Sequence, residues 1–291
     1  MSAKPHRNTI HVEEAEVLAN HAHAAEQYVL RIHAPRCAAD AEPGSFAHLT
    51  CDPQLPLRRP LSIMRVDPDA GWVEFLYKAV GRGTGLLAGR KPGEKLSVMG
   101  PIGKPFALHA ERRRPVLIGG GVGIPPMVFL ADRLRRLSGY EPFAVLGSEV
   151  PFPFSARPSQ MLVPGLPNGV IAAMPLLEDW GIPSRLTSLQ GYPGCHEGYV
   201  TDLVRLWLQA LSETERAAVE FFACGPHPML KAVTTLAAEF GLPAQISLEE
   251  YMACAVGGCA GCTVRIQTAD GPAMKRVCVD GPVFEAGTVM F

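Results

Sequence analysis

Short apolar runs separated by Gly, Pro and Asp fill the first hundred residues of the chain. Such runs indicate β-strands, and the turn-forming segment at 67–71 joins two of them as a hairpin. Because many short strands at regular spacing are typical of closed antiparallel sheets, the pattern predicts a small N-terminal antiparallel β-barrel. Its six strands are expected at 12–18, 28–32, 44–49, 61–66, 72–79 and 95–99.

The pattern changes after the three arginines at 112–114. Apolar runs now alternate with stretches of helical period, which indicates βαβ units and a central parallel-sheet α/β domain. Strands are predicted at 115–118, 142–146, 169–174 and 219–224, and helices at 127–137, 203–211 and 229–240. Thr201 or Asp202 is the predicted cap of the second helix. The segment 184–197 carries no periodic pattern and is predicted to be an exposed loop.

The last part of the chain, from Gln245, combines four Cys and many Gly with only short β-like runs. The expected fold class is therefore multi-domain β and α/β, with a small C-terminal module. The expected division is 1–107, 108–243 and 244–291. Because the last part is too short to build a large core, a bound metal is expected to contribute to its folding.

Composition and charge narrow the functional classes. The chain has 291 residues, 47% of them hydrophobic, and a formal net charge of −1. This balance argues against a broadly basic nucleic-acid binder and against a polybasic membrane-surface protein. The longest uncharged apolar stretch, 115–131, is interrupted by Gly and Pro and does not predict a membrane span. No apolar segment of secretory type follows the first charged residues, so a cytoplasmic location is expected.

Half of the eight cysteines lie close together near the C-terminus. Cys254, Cys259 and Cys262 have the spacing C-x4-C-x2-C, and Cys278 follows as a distant fourth. This is the plant-type [2Fe–2S] pattern. Neighbouring glycines at 257, 258 and 261 would let the backbone wrap closely around a cluster. A structural zinc site is the alternative, but it usually has two short Cys pairs, so the spacing favours iron–sulfur.

Glycine-rich turns follow two predicted strands of the α/β part. The first is Gly119-Gly120-Gly121-Val122-Gly123, and the second is Cys224-Gly225-Pro226. Ligands of open α/β sheets bind beyond the carboxyl ends of strands, so both turns are candidates for one dinucleotide crevice. Taken separately, each turn also fits a purely structural role, and Cys224 fits a small buried residue.

Basic and glycine-rich segments also mark the predicted barrel. Arg58-Arg59-Pro60-Leu61-Ser62 begins one strand, whereas Lys78 and the turn Gly81-Arg82-Gly83-Thr84-Gly85 end another. Arginine and a glycine turn with a hydroxyl suit a pyrophosphate. An ordinary basic rim and turn explain the same residues equally well.

The order of these motifs resembles the ferredoxin–NAD(P) reductase superfamily. More narrowly, the chain resembles the iron–sulfur flavoprotein that serves as electron-transfer subunit of the NAD-dependent, two-subunit dihydroorotate dehydrogenase. Beyond the segments already described, the resemblance rests on Gly100-Pro101-Ile102-Gly103 and on Cys278-Val279-Asp280-Gly281-Pro282-Val283-Phe284. It covers nearly the whole chain.

The resemblance implies an FAD-binding barrel at 1–107, an NAD-binding domain at 108–243 and a [2Fe–2S] module at 244–291. Ser62, near the flavin N5, and Cys224, near the reacting nicotinamide carbon, are the implied catalytic residues. The implied FAD residues are Arg59, Pro60, Leu61, Ser62, Leu76, Tyr77, Lys78, Gly83 and Thr84. The implied NAD residues are Gly119, Gly120, Gly121, Gly123, Cys224, Gly225 and Pro226. The implied cluster ligands are Cys254, Cys259, Cys262 and Cys278.

The implied function is electron transfer in pyrimidine biosynthesis, between an FMN-containing dihydroorotate dehydrogenase catalytic subunit and NAD+, within a heterotetramer. One alternative is the electron-transfer subunit of another NAD(P)H system, such as a ferredoxin:NADP oxidoreductase or a sulfhydrogenase. Another is a non-catalytic flavin and iron–sulfur redox sensor. The chain departs from the family pattern at Ala255, where glycine is usual, so Ala255 is expected to adopt a glycine-like backbone conformation. The long Pro-rich stretch at 150–197 is a second departure.

Overall fold

The computed structural model describes residues 10–291, so the N-terminal segment interpreted above for targeting lies outside the described part. Contacts divide the chain into two compact units. The first contains the described residues up to Pro105, together with Leu248–Val283 and Met290. The second contains Phe106–Ser247, Phe284–Val289 and Phe291.

Six antiparallel strands close into a barrel in the first unit, in the order β1-β2-β5-β4-β3-β6. The strands are β1 (His11–His23), β2 (Gln27–His33), β3 (Phe46–Leu49), β4 (Arg59–Asp67), β5 (Trp72–Lys78) and β6 (Lys95–Ile102). Two short helices, α1 (Pro35–Asp40) and α2 (Arg82–Ala88), interrupt them. Alternate residues of the strands, such as Leu30, Ile63 and Val98, are fully buried. The period-two pattern therefore forms the barrel core, and the predicted barrel is confirmed.

A parallel sheet forms the centre of the second unit. Its elements are β7 (Arg114–Gly120), α3 (Ile124–Leu134), β8 (Phe143–Gly147), β9 (Arg157–Pro158), β10 (Ala172–Ala173), α4 (Pro175–Asp179), β11 (Ser184–Thr187), α5 (Val200–Ala210), α6 (Glu213–Ala217), β12 (Val219–Cys224), α7 (His227–Phe240) and β13 (Ala244–Ser247). The strand order is β11-β8-β7-β12-β13, and each of these neighbouring pairs is parallel. From β7 the chain first adds β8 and β11 on one side of the sheet, and then adds β12 and β13 on the other side. The direction in which strands are added therefore reverses between β7 and β12.

One part of the predicted loop at 184–197 is instead a strand. The β11 residues Ser184–Thr187 are all buried and pair with β8. Several of their polar atoms are hydrogen-bonded: the Ser184 hydroxyl accepts from Met174 N, and the two Nη atoms of Arg185 donate to the carbonyls of Ser184 and Met161, whereas Arg185 Nε is buried without a hydrogen-bond partner in the described part of the chain. The loop prediction was wrong because Ser, Arg and Thr are usually exposed, whereas tertiary hydrogen bonds make their burial tolerable.

The C-terminal residues form a hairpin of β14 (Thr263–Thr268) and β15 (Gly271–Arg276), then a helical turn, α8 (Val277–Asp280). A last strand, β16 (Val283–Glu285), is added to the parallel sheet beside β13. At the start of α5, the cap position is occupied by Tyr199, whose N–H donates to the Asp202 carboxylate at 2.9 Å. None of the helices in residues 10–291 has the length and apolar character needed to cross a membrane.

Candidate cofactor-binding sites

The barrel unit brings Arg59 together with the glycines at the first turn of α2, although they are far apart in sequence. The Arg59 guanidinium donates to the carbonyls of Leu57 and Arg58, at 2.9 and 3.1 Å. A side chain at Gly83 would place its Cβ 2.6 Å from Arg59 Nε, so only glycine leaves room for this approach. Thr84 bonds back to Gly81 through its hydroxyl at 3.3 Å. A guanidinium beside a glycine turn fits a phosphate-bearing cofactor.

Strand alternation separates the four residues that begin β4. Pro60 and Ser62 lie on one face, opposite His48 and Phe46 of β3, and both are half-buried. Leu61 lies on the other face and is buried. Pro60 and Ser62 therefore present a partly open surface, whereas the Leu61 side chain belongs to the barrel interior.

The three predicted FAD residues at the end of β5 have different surroundings. Leu76 and Tyr77 are buried, whereas Lys78 is half-exposed. The Tyr77 ring stacks on Tyr28 at 5.4 Å, and its hydroxyl donates to Asn20 Oδ1 at 3.2 Å. Burial is the main reason that the pKa of the Tyr77 hydroxyl is raised.

Asn20 connects Tyr77 to the helix that carries Gly83. Its amide donates to the carbonyls of Leu87 and Arg90, at 3.0 and 3.2 Å, at the end of α2. The Tyr77 side chain thus supports α2 through Asn20. Sequence reasoning missed Asn20 because its partners lie 57 to 70 residues away, and no local pattern signals such contacts.

In the second unit, both glycine turns lie side by side at the carboxyl ends of adjacent parallel strands. Gly119 of β7 pairs in register with Cys224 of β12. Gly225 and Pro226 then lead into α7, with Pro226 at the cap position. This is the edge where ligands of open α/β sheets bind, so the predicted proximity of the two turns is observed.

Most glycines of the first turn are enclosed by protein. A Cβ at Gly123 would overlap the backbone carbonyl of Cys224, and one at Gly120 would lie 2.5 Å from Met229 Sδ. A Cβ at Gly119 would be tight but less so, at 3.1 Å from Ile124 Cα and from Leu146 Cδ2. Gly121 differs, because it has a φ of +55° and a Cβ added there would meet no atom within 4 Å. Gly121 therefore marks the part of the turn with room for a ligand, while Cys224 is fully buried beside it.

The four C-terminal cysteines are arranged as two pairs. The Sγ atoms of Cys262 and Cys278 are 3.4 Å apart, and Cys259 N–H donates to Cys254 Sγ at 3.4 Å. A backbone bond from Val277 N to Cys262 O, at 2.9 Å, joins the two segments. Among residues 10–291, no three His, Cys, Asp or Glu side chains already form a site for a single metal ion. Two thiol pairs instead match a cluster of two irons held by four cysteines.

The loop that carries the first three cysteines uses left-handed backbone conformations. Ala255 and Ala260 both have a φ of +54°, and Gly257 has a φ of +82°. The glycine-like conformation expected of Ala255 is therefore observed, and Ala260 shares it. Because this conformation costs a non-glycine residue about 1–2 kcal/mol, the loop geometry must be stabilised by something other than local preference.

The thiols of the two pairs differ in their electrostatic surroundings. Burial alone would raise the pKa of Cys254, but hydrogen bonds from the backbone N–H groups of Val256 and Cys259 lower it to about 6. Burial and the bond with Cys262 raise the pKa of Cys278 to about 12. A bound metal deprotonates its thiol ligands whatever their pKa in the free protein. The N–H donors around Cys254 and the burial of Cys278 are therefore both compatible with a cluster.

Apart from Cys224, the cysteines outside the module are Cys37, Cys51 and Cys195, and within residues 10–291 none of them belongs to a cluster of thiols. Cys37 and Cys51 are buried in the barrel unit, and burial raises the pKa of their thiols to about 12 and about 11. Cys195 is half-buried, and its pKa is also raised by burial. Burial of this kind disfavours the thiolate, so nothing that the structure describes around these three cysteines indicates a reactive or metal-binding role.

A closed barrel, a parallel sheet with a glycine turn and a four-cysteine module define a ferredoxin reductase-like iron–sulfur protein. The chain is similar to the solved structure of an NADH-dependent reduced ferredoxin-NADP oxidoreductase studied for flavin-based electron bifurcation. That similarity has a TM-score of 0.76 and 27% identity, and it covers 95% of this chain and 89% of the other. The predicted fold class and the superfamily resemblance are thereby confirmed.

Sequence comparisons narrow the family further. Residues 249–290 match the iron–sulfur cluster binding domain of dihydroorotate dehydrogenase B. The chain is 33% identical to the electron transfer subunit of dihydroorotate dehydrogenase B (NAD(+)) from Desulforamulus reducens, over 96% of this chain and 98% of that protein. It is 32% identical to the subunit of the same name from Shouchella clausii over the full length of both. The chain therefore belongs to the family of dihydroorotate dehydrogenase B electron transfer subunits, whose name implies a catalytic partner subunit.

Proposed function

We propose that this chain carries electrons between a catalytic subunit that oxidises dihydroorotate to orotate and NAD+, in pyrimidine biosynthesis. The partner contains FMN, binds the dihydroorotate, and forms a heterotetramer with this chain. The observation that carries the proposal is the presence, in one chain, of two thiol pairs, an Arg59–Gly83 contact and a glycine turn beside Cys224. Each of these features suits a different redox group.

The three groups have complementary chemistry: nicotinamide exchanges a hydride, an iron–sulfur cluster exchanges single electrons, and a flavin does both. In the barrel, Arg59 binds an FAD phosphate, while Gly83 and Thr84 hold the pyrophosphate on the first turn of α2. Pro60 and Ser62 lie along the flavin from their partly open face, with Ser62 near N5. Leu61, Leu76, Tyr77 and Lys78 complete this segment, and Tyr77 acts through Asn20 on α2.

The nicotinamide nucleotide binds in the second unit. Gly121 offers open space next to the turn, and the other glycines hold β7, α3 and β12 close together. Gly225 and Pro226 shape the neighbouring turn, and the buried Cys224 lies near the reacting carbon. Cys254 and Cys259 would hold one iron of the [2Fe–2S] cluster, and Cys262 and Cys278 would hold the other; the short contact within each pair supports this division.

The direct test is to purify the chain with its bound partner from its native host and to measure dihydroorotate-dependent reduction of NAD+. We expect activity from the complex with the wild-type chain. Cys259→Ser is expected to abolish it and to remove the [2Fe–2S] signal in electron paramagnetic resonance. Cys195→Ser is the matched control, because this thiol lies outside the module and should leave both readouts unchanged.

The same preparation separates the competing functions. A complex that reduces ferredoxin or sulfur with NAD(P)H, and is inert towards dihydroorotate, would contradict the proposed substrate. A chain whose flavin is not bleached by saturating NADH would contradict the enzyme function and favour a redox sensor. Retention of the full iron–sulfur signal in Cys259→Ser would contradict the ligand assignment.

A further inference from the structure

Two separate segments carry the four cysteines, and their relative position decides whether two irons fit between them. The first segment is the loop at 254–262, and the second is α8, which carries Cys278. In addition to the backbone bond between Val277 and Cys262, a side chain connects the two segments. Arg276 Nη1 donates to the carbonyl of Gly257 at 2.9 Å, across 19 residues of sequence.

Arg276 is itself fixed at the start of α8. Its backbone N–H donates to Asp280 Oδ2 at 2.8 Å, and its Nε lies 3.6 Å from the same oxygen. The guanidinium therefore pairs with Asp280 at one side and reaches the cysteine loop at the other. A forked, planar guanidinium can hold two such partners at once, which a lysine ammonium on a flexible stem does less well.

Gly257 is shaped to receive this contact. It has a φ of +82°, so its carbonyl is turned in a direction that other residues rarely allow. A Cβ at this position would lie 2.5 Å from Val279 Cγ2 and 3.3 Å from Arg276 Nη1. The loop between Cys254 and Cys259 thus packs directly against α8 at Gly257, the residue whose carbonyl accepts the arginine bond.

We infer that Arg276 is a positioning residue for the cluster. It ties the loop of the first three ligands to the helical turn of the fourth and so sets the separation of the two thiol pairs. This inference rests on the proposed ligand set and adds a residue to it that touches no iron. Groups that orient metal ligands in this way typically change metal affinity by about 10–100-fold when they are replaced.

The experiment compares Arg276→Lys and Arg276→Gln with the wild-type chain, purified anaerobically. Iron release to a chelator is followed over time, and the reduced cluster is examined by electron paramagnetic resonance. Both variants are expected to lose iron about tenfold faster and to show altered g values. Arg265→Gln is the matched control, because it removes an exposed cation from the same hairpin and should behave as wild type. FAD content equal to that of the wild type verifies that the barrel of each variant is folded.

The outcomes separate this inference from the proposed function. Wild-type release rates and g values in both Arg276 variants would overturn the positioning role. Full recovery by Arg276→Lys with loss in Arg276→Gln would also overturn it, since charge and not the forked bond would then be responsible. A wild-type chain without any [2Fe–2S] signal would contradict the proposed ligand set and the inference with it.

Discussion

Two glycine-rich segments of this protein look alike in sequence but have different physical reasons for their glycines. In the turn at 119–123, three of the four glycines are in contact with the protein itself. In the cysteine loop, a Cβ added at Gly258 would meet no atom within 4 Å, and one added at Gly261 would lie 3.5 Å from Cys259 Sγ. The turn needs small residues so that neighbouring strands and helices can approach. In the cysteine loop Gly257 is packed against α8, but Gly258 and Gly261 leave space free.

This difference separates a structural glycine from one that makes room for a cofactor. A motif alone does not distinguish the two, because both kinds permit close backbone approach. The surroundings do, and they assign Gly121 and Gly258 to the open class and Gly120 and Gly123 to the packed class. Substitutions in each class should therefore fail in different ways.

The largest effect is expected from Gly123→Ala. Its Cβ would overlap the backbone of Cys224, which cannot move without shifting β12, so the free energy of unfolding should fall by about 3 kcal/mol. Urea unfolding of the second unit measures this change. Gly121→Ala is the control within the same turn and should cost only about 1–2 kcal/mol, from its left-handed backbone. Equal losses in the two variants would remove the distinction between packed and open glycines.

Iron removal should act on the cysteine loop and leave the glycine turn unchanged. Because the loop holds strained residues at 255 and 260, its geometry is expected to depend on the cluster. After chelation, amide hydrogen exchange at 254–280 should become at least about tenfold faster, while exchange in β7 and β12 stays the same. Cys278→Ser should give the same local pattern without a chelator. Uniform acceleration across both regions, or none in the loop, would contradict the comparison.

Gly83 provides an intermediate case, because its neighbour is a flexible side chain. The Cβ of Gly83→Ala would push against Arg59 Nε. The flexible Arg59 side chain can move away at little cost to folding, but its guanidinium then leaves the proposed phosphate position. FAD affinity, measured by fluorescence titration of the FAD-depleted chain, is expected to fall about tenfold, which corresponds to about 1.4 kcal/mol. Gly85→Ala lies in the same helix with open space around it and should retain wild-type affinity. Unchanged affinity in Gly83→Ala would argue that Arg59 does not bind the cofactor.

The smallest effect is expected from Ala260→Gly, and its sign is the informative feature. Ala260 is exposed and has a left-handed backbone, so glycine should relieve about 0.5–1 kcal/mol of backbone strain. Iron should therefore be lost slightly more slowly from this variant. Ala253 directly precedes this loop, is exposed, and is outside the left-handed region. Ala253→Gly should therefore have the opposite sign. Faster iron loss in both variants would show that backbone strain at Ala260 is unimportant.

The elements with regular patterns could be predicted from sequence, and those held by distant contacts could not. Six short apolar runs correctly indicated the barrel, and strand–helix alternation indicated the parallel sheet. The family resemblance also implied the unusual backbone of Ala255, which stands where glycine is usual in the family, and its φ of +54° agrees. The β11 strand was missed because the burial of Ser184 and Arg185 depends on hydrogen bonds with Met174 and Met161, which lie outside the segment.

The residues of the candidate cofactor sites likewise could be predicted only where a local sequence pattern marks them. Spacing indicated the four cysteines, but not their division into pairs, which depends on how α8 folds back onto the loop. Nor did spacing indicate Arg276 or Asn20, whose bonds join residues 19 to 70 positions apart. The Tyr77 hydroxyl bonds to Asn20, which in turn bonds to the end of α2. The sequence motif around Tyr77 does not indicate this supporting role.

The central claim is that one chain passes electrons between a nicotinamide nucleotide and a two-iron cluster. Anaerobic addition of NADH to the purified chain tests it most directly, with flavin absorbance and the electron paramagnetic resonance of the cluster recorded on the same sample. We predict that NADH bleaches the flavin and produces the signal of the reduced cluster, and that Cys259→Ser retains the bleaching but loses the signal. A bleached flavin with an intact, oxidised cluster in the wild-type chain, or no bleaching at all, would contradict the account.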